Sequence, residues 1–216
     1  MSLLNPEYIV VHTAAYNGTD CDAQVIDKWH RDRGWNGIGY HFVILNDKHN
    51  QKADGTIESG RPKTVRGAHA RGINSRSLGI CCIGHGDHTP FTENQMTSLI
   101  RLISDFIDEH DAITVDKVIG HRELNQLVSQ GSLSEEYRTT KSCPGKKVSM
   151  DQIRQAVSEF RISTPIVAEE RPKLPGDEDI RKALSVLQAA GPRFSNARDP
   201  LTEFLTHPEV LEFLEN

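Results

Sequence analysis

Tyr8-Ile9-Val10-Val11-His12-Thr13 is a nearly continuous apolar run that closes on a histidine. A run without polar alternation predicts a strand buried on both faces, and therefore a sheet with helices on either side. The histidine at its end has two readings. A lone imidazole at a core strand is more often a hydrogen-bonded structural group; the alternative is a ligand presented at the end of the sheet.

Working outward, strands and helices alternate. Asp22 to Arg33 places Val25, Ile26 and Trp29 at helical spacing and stops at Gly34. Tyr40 to Leu45 reads as a second apolar strand, Asn46 to Ala53 as a polar loop, and Asp54-Gly55 as a turn before the short strand Thr56-Ile57-Glu58. Ser77 to Ile83 is a further strand closed by Gly84 and Gly86. Thr92 to His110 is the clearest helix: Met96, Leu99, Ile100, Ile103, Phe106 and Ile107 share one face. Thr92 and Gln95 have capping-box spacing, and Phe91 is placed to staple onto Met96. Lys117 to Gly120 is a short strand delivering His121, and Ser149 with Gln152 caps a last helix with Ile153, Val157 and Phe160 on its apolar side.

The pattern predicts an α+β fold in α/β/α layers: a central mixed sheet flanked by helices, followed by a short helical C-terminal extension. The expected division is a domain over 1–162, a linker over 163–179 rich in proline and charge, and an extension over 180–216 with Ile180, Ala183, Leu184 and Leu187 on one face. That extension reads equally as a binding element, a docking helix or a cap.

Composition narrows the function classes. The 216 residues carry a formal net charge of −5, so no global basic signature for nucleic acid is present. No apolar run approaches the ~20 residues of a membrane helix. Met1 to Pro6 lacks the basic start and apolar stretch of a secretory signal, which predicts synthesis and initial retention in the cytoplasm. Four cysteines in a chain of this length do not make a disulfide framework, and Cys81-Cys82 read as buried free thiols.

Three residues stand apart: His12, His121 and Cys143, the last in the polar turn Ser142-Cys143-Pro144-Gly145. Two imidazoles and one thiolate are the ligand count of a catalytic zinc site with its fourth position open. None of the spacings is a local metal motif, so the residues alone only suggest Zn²⁺.

A wider set of stretches resembles the type 2 zinc N-acetylmuramoyl-L-alanine amidases, the family of the phage amidase-type lysozymes and the peptidoglycan recognition proteins. They are Ile9-Val10-Val11-His12, Trp29-His30-Arg31-Asp32-Arg33-Gly34-Trp35, Gly39-Tyr40-His41-Phe42, Glu58-Ser59-Gly60-Arg61, Gly67-Ala68-His69, Asn74 to Ile80, Gly120-His121-Arg122-Glu123 and Lys141-Ser142-Cys143-Pro144, in the family's order over residues 8 to about 160. The resemblance implies that His12, His121 and Cys143 bind Zn²⁺, that Tyr40 contacts the attacking water or the reacting carbonyl, and that Lys141 stabilises the oxyanion. His69 would lie near the site. Arg61 and Arg71 would line the cleft, and Glu123 would support the ligands from behind. His41, alternating with Tyr40, is expected to face away with a structural role.

The expected function is hydrolysis of the amide between N-acetylmuramic acid and L-alanine in peptidoglycan, in a phage or prophage endolysin that reaches the wall through a membrane-permeabilising, holin-type partner. Competing readings are a non-catalytic peptidoglycan-binding module, a cytoplasmic enzyme recycling soluble muropeptides, and a structural zinc domain closed by a fourth protein ligand.

Overall fold

The computed structural model describes residues 5–163. The expected helical extension and all but the first residue of the expected linker lie outside them. Five strands form one sheet: β1 (Tyr8–Thr13), β2 (Phe42–Ile44), β3 (Ile57–Ser59), β4 (Ser77–Cys82) and β5 (Val118–Gly120), in the order β3-β2-β4-β1-β5. Only the β2–β3 pair is antiparallel. The mixed sheet with an internal hairpin is therefore as expected.

β1 is central, and its alternating side chains enter different cores. Ile9 and Val11 pack with Leu78, Ile80 and Val118 against α2 (Glu93–Glu109) and α4 (Met150–Ser163), through Leu99, Ile103, Phe106, Ile153 and Val157. Val10 faces the other way, with Ile119, Ala70, Ile73 and Leu127, under α3 (Leu124–Ser129). Beside it on that second face, Val43, Cys81 and Ile83 meet Ile26 and Cys21 of the α1 (Ala23–Asp32) region. The two-sided burial explains why β1 and β4 read as unbroken apolar runs. His12 follows Val10 onto the second face, between the regions covered by α1 and α3.

The helix ends are where the sequence puts them. Asp22 caps α1 by accepting from Val25 N–H, and Thr92 and Gln95 make both bonds of a capping box on α2. The polar loop is tied down as well: Lys52 bridges Asp22 at 2.7 Å and Glu58 at 2.5 Å, joining it to the start of α1 and to β3. β2 is shorter than the apolar stretch Tyr40–Leu45. Gly79 N–H donates to the His41 imidazole Nδ1 (2.9 Å), where a neighbouring strand would offer a carbonyl, so the regular ladder begins only at Phe42.

Gln95 does more than cap. Its amide is buried and Nε2 donates to the carbonyls of Ile44 (3.0 Å) and Ile83 (2.9 Å), satisfying the C-terminal ends of two neighbouring strand segments. Gln95→Ala leaves the Ile83 carbonyl without its donor, takes one of two donors from the Ile44 carbonyl, which keeps Ile83 N–H at 2.8 Å, and opens the cap; it is expected to cost about 1–3 kcal/mol in urea unfolding. A loss under about 0.5 kcal/mol would show that water replaces the amide without penalty.

Candidate metal centre and cleft

β1 and β5 pair in parallel with Val11 beside Gly120, so the next residues, His12 and His121, leave the sheet side by side. Their rings lie 4.9 Å apart at 67°. Cys143 arrives from the turn after the α3 region. One donor atom each from His12, His121 and Cys143 fall within 4.8 Å of one another, a group able to hold a metal ion. Sγ of Cys143 is 3.6 Å from Nδ1 of His12.

The second nitrogen of His12 is also engaged. Nε2 lies 3.1 Å from Nδ1 of His69. With a cation on Nδ1 of His12, its proton must sit on Nε2 and be donated to His69, which fixes both tautomers. His69 in turn is boxed in. A Cβ on Gly67 or on Gly79 would come within 2.5–2.6 Å of its ring carbons, so only glycine at both positions leaves room for the imidazole. Its backbone N–H and that of Ala70 both donate to Oδ1 of Asn74, at 2.9 and 2.8 Å. His41, on the far side of His69, accepts from Gly79 and lies with Nε2 3.0 Å from the Val65 carbonyl. It acts as a scaffold for the loop, its ring 5.5 Å from that of His69; because β2 begins only at Phe42, strand alternation does not govern Tyr40 and His41.

Electrostatics keep these imidazoles neutral. Burial holds His12 and His69 well below the usual imidazole range, with neighbouring histidines adding to the effect. Burial and then the Lys141 ammonium bring His121 down to about 4. Neutral imidazoles have lone pairs free for a metal at neutral pH. Burial pushes the Cys143 thiol up to about 11, against the Thr13 backbone donor and the charges of Lys141 and Arg122. A dry thiol of this kind becomes a thiolate when a cation replaces its proton.

Tyr40 packs its ring 5.0 Å from His12. Burial, then the neighbouring Cys81 and Cys143, push its phenol well above the ordinary range, so it remains protonated. Lys141 is exposed and lines a cleft of about 430 Å³ together with Trp35, His69, Arg71, His121 and Tyr137. Arg61 is elsewhere: it donates to the Arg66 carbonyl and lines a separate hollow of about 570 Å³ beside Asp27 and Arg31. The Arg61 backbone N–H donates to the Tyr40 carbonyl at 2.8 Å, yet its side chain is not among the residues that line the metal cleft. Glu123 lies behind it, accepting from Gly120 N–H and from Arg154 at 3.0 and 3.1 Å. It braces the turn that carries His121.

A family model for N-acetylmuramoyl-L-alanine amidases matches residues 2–146. The chain belongs to this family. The endolysin of Klebsiella phage KP32 is 38% identical over 101 residues, 44% of this chain and 62% of that protein. The endolysin of Enterobacteria phage T3 is 35% identical over 111 residues, 49% of this chain and 69% of that protein. Among solved structures, the N-acetylmuramoyl-L-alanine amidase LysC from Clostridium intestinale URNW superposes with a TM-score of 0.57 at 34% identity, covering 72% of this chain and 87% of LysC.

In this amidase the residue that sequence reasoning passed over is Arg122. Its backbone N–H donates to the Cys143 carbonyl at 2.7 Å. Its guanidinium donates to the carbonyls of Ser142 (3.2 Å), Gly145 (2.7 Å) and Val148 (2.7 Å). Asp87 completes the frame by accepting from Ser142 Oγ and Lys146 N–H, both at 2.7 Å. The only signal for Arg122 was its place beside His121, because its partners are backbone atoms that no side-chain pattern reveals. Arg122→Ala is expected to lower stability by about 2–3 kcal/mol through lost charged donors. It should also free the Cys143 turn, read as faster alkylation of Cys143 by mass spectrometry. Unchanged stability and labelling would remove the role assigned to the guanidinium.

Proposed function

We propose that this chain hydrolyses the amide between the lactyl group of N-acetylmuramic acid and L-alanine in peptidoglycan, with Zn²⁺ held by His12, His121 and Cys143. The observation that carries the reading is the convergence of two neutral imidazoles and one thiol at a cleft in a chain of this family. The donor set suits zinc: bonds of about 2.0 Å to nitrogen and 2.3 Å to sulfur would put ligand atoms about 3.5 Å apart, and the three donor atoms lie within 4.8 Å of one another. The Sγ–Nδ1 distance is 3.6 Å. Three protein ligands leave the fourth position for chemistry, and among the described residues no further His, Cys, Asp or Glu joins the group to close it.

When bound, zinc supplies Lewis-acid polarisation of the carbonyl and a nucleophile at neutral pH. The chain's own groups do the rest. Lys141 presents an ammonium at the cleft to the oxygen that gains charge during attack. Tyr40, kept protonated, is a hydrogen-bond donor beside His12. His69 holds His12 in the tautomer that leaves Nδ1 free. The full ligand set, with Tyr40 and Lys141 present, favours catalysis over a binding-only module. Residues 1–162 are the catalytic unit on this reading. Likeness to phage endolysins supports a lytic role, with the wall reached after a holin-type partner opens the membrane. Recycling of soluble muropeptides uses the same chemistry and is distinguished by substrate size. No helix among the described residues is long and apolar enough to cross a membrane.

Purified peptidoglycan treated with the protein is expected to release stem peptides beginning with L-alanine, detected by mass spectrometry. Release should stop on chelation and return with Zn²⁺. Cys143→Ala should lose bound metal and activity together, and a metal-free variant with full activity overturns the site. Lys141→Ala should retain metal but turn over about 10²–10³-fold more slowly; unchanged kcat removes its oxyanion role.

A further inference from the structure

Tyr40 packs beside His12, yet no strand ladder places it, because β2 begins only at Phe42. The backbone groups of the segment ahead of β2 therefore need partners off the ladder. The Gly39 carbonyl accepts from Ala68 N–H at 3.0 Å, and the Tyr40 carbonyl from Arg61 N–H at 2.8 Å. His41 N–H donates to the Gly79 carbonyl at 2.9 Å. A Cβ on Gly39 would come within 2.2 Å of the Ala68 carbonyl oxygen, so glycine lets the segment press against the loop that carries His69.

The two N–H groups just ahead of Tyr40 are held by side chains. Ile38 N–H donates to Oδ1 of Asp27 at 2.7 Å, and Gly39 N–H to Nδ1 of His30 at 2.9 Å. Asp27 and His30 lie one turn apart on α1 and share a face of it. The helix thus offers two side-chain acceptors where a neighbouring strand would offer carbonyls. Asp27 is partly exposed and also accepts from Arg31 Nε at 2.6 Å. His30 is buried, and its ring packs against those of Trp35 and Tyr40, with centroids 4.6 and 5.6 Å away. Burial, then the charges of Arg33 and Arg61, hold this imidazole below its usual range, against the pull of Asp27. A neutral ring that accepts at Nδ1 carries its one proton on Nε2.

We propose that His30 is a positioning residue for Tyr40: by holding the Gly39 N–H, it fixes the backbone from which the phenol is kept beside His12. This role rests on the amidase reading above, in which Tyr40 is a hydrogen-bond donor at the reacting centre. Misplacing such a group by about 1 Å can cost about 10²-fold in rate.

Three variants separate the acceptor from the ring. Asn puts an amide oxygen near the place of Nδ1, Gln puts its amide near the place of Nε2, and Ala removes both. Amide hydrogen exchange read by NMR reports the clamp directly. The Gly39 N–H is expected to be protected in the native protein and in His30→Asn, and to exchange faster in His30→Gln and His30→Ala. The kcat for stem-peptide release should follow the same order, within about threefold of native for His30→Asn and about 10–10²-fold lower for the other two. All three variants remove the ring behind Trp35, so any rise in KM should be common to them. In Tyr40→Phe, which lacks the hydroxyl, adding His30→Ala should lower kcat by less than about threefold, because both changes act on one group. An equal loss of kcat in all three His30 variants, or the full further loss in Tyr40→Phe, overturns the positioning role and leaves the amidase standing. An unprotected Gly39 amide in native, active protein does the same without any variant. Native zinc-loaded protein that releases no stem peptide overturns both.

Discussion

Parallel hydrogen bonding between β1 and β5 aligns Val11 with Gly120, and the candidate metal-binding group is built on that alignment. Two strands that run the same way end at the same edge, so the residues following them emerge as neighbours without any local motif. A one-residue slip would turn one imidazole to the opposite face of the sheet. Register is held by burial on both sides: Ile9, Val10, Val11 and Val118 are fully buried, and a slip would exchange the contents of two packed cores. The hydrophobic effect that folds the sheet therefore also sets the distance between His12 and His121.

The third member of the group cannot use this device, since Cys143 lies in a turn with no ladder to align it. Arg122 takes over that task. It follows His121 directly, so a residue fixed by the sheet reaches across to the carbonyls on either side of Cys143. Three carbonyls on one guanidinium, with Asp87 on the outer side, make the turn an extension of the β5 edge. The cost of leaving buried carbonyls unpaired makes this linkage stiff as well as specific. Behind His12, the same logic runs through His69. Its imidazole fits because Gly67 and Gly79 lack side chains, and Asn74 pins its backbone.

Much of this was legible in the sequence, and the limits have physical causes. β1 and β4 were readable because burial on both faces leaves an unbroken apolar run. The capping box of α2 was readable because its partners are three residues apart. The three ligands could be grouped as the right residue types at strand ends and in a polar turn, though their meeting depends on strand order, which periodicity does not encode. The start of β2 was misjudged because His41 replaces a backbone carbonyl with a side-chain nitrogen, and apolar pattern is blind to that exchange. Arg61 was expected along the cleft by resemblance, but its guanidinium turns to the Arg66 carbonyl and another hollow, a side-chain direction that a motif does not encode. Arg122 and Asn74 escaped notice because they act on backbone atoms.

The frame around the ligands and the walls of the cleft are separable. Cys143 is fixed by Arg122 and Asp87, neither of which belongs to the segment between α3 and Lys141. That segment is fastened at its own ends: Asn125 exchanges two hydrogen bonds with the backbone of Thr139, at 2.8 Å each, and Tyr137 rests on Gly72. Changes at Glu136, Tyr137 or Arg138 therefore alter the charge and shape of that side of the cleft without pulling on the thiol. Trp35 is similarly insulated, since its support comes from His30 and not from a ligand. A site organised this way can change the lining of its cleft while the geometry of His12, His121 and Cys143 stays constant, because the contacts that hold those three and those that line the walls share few residues.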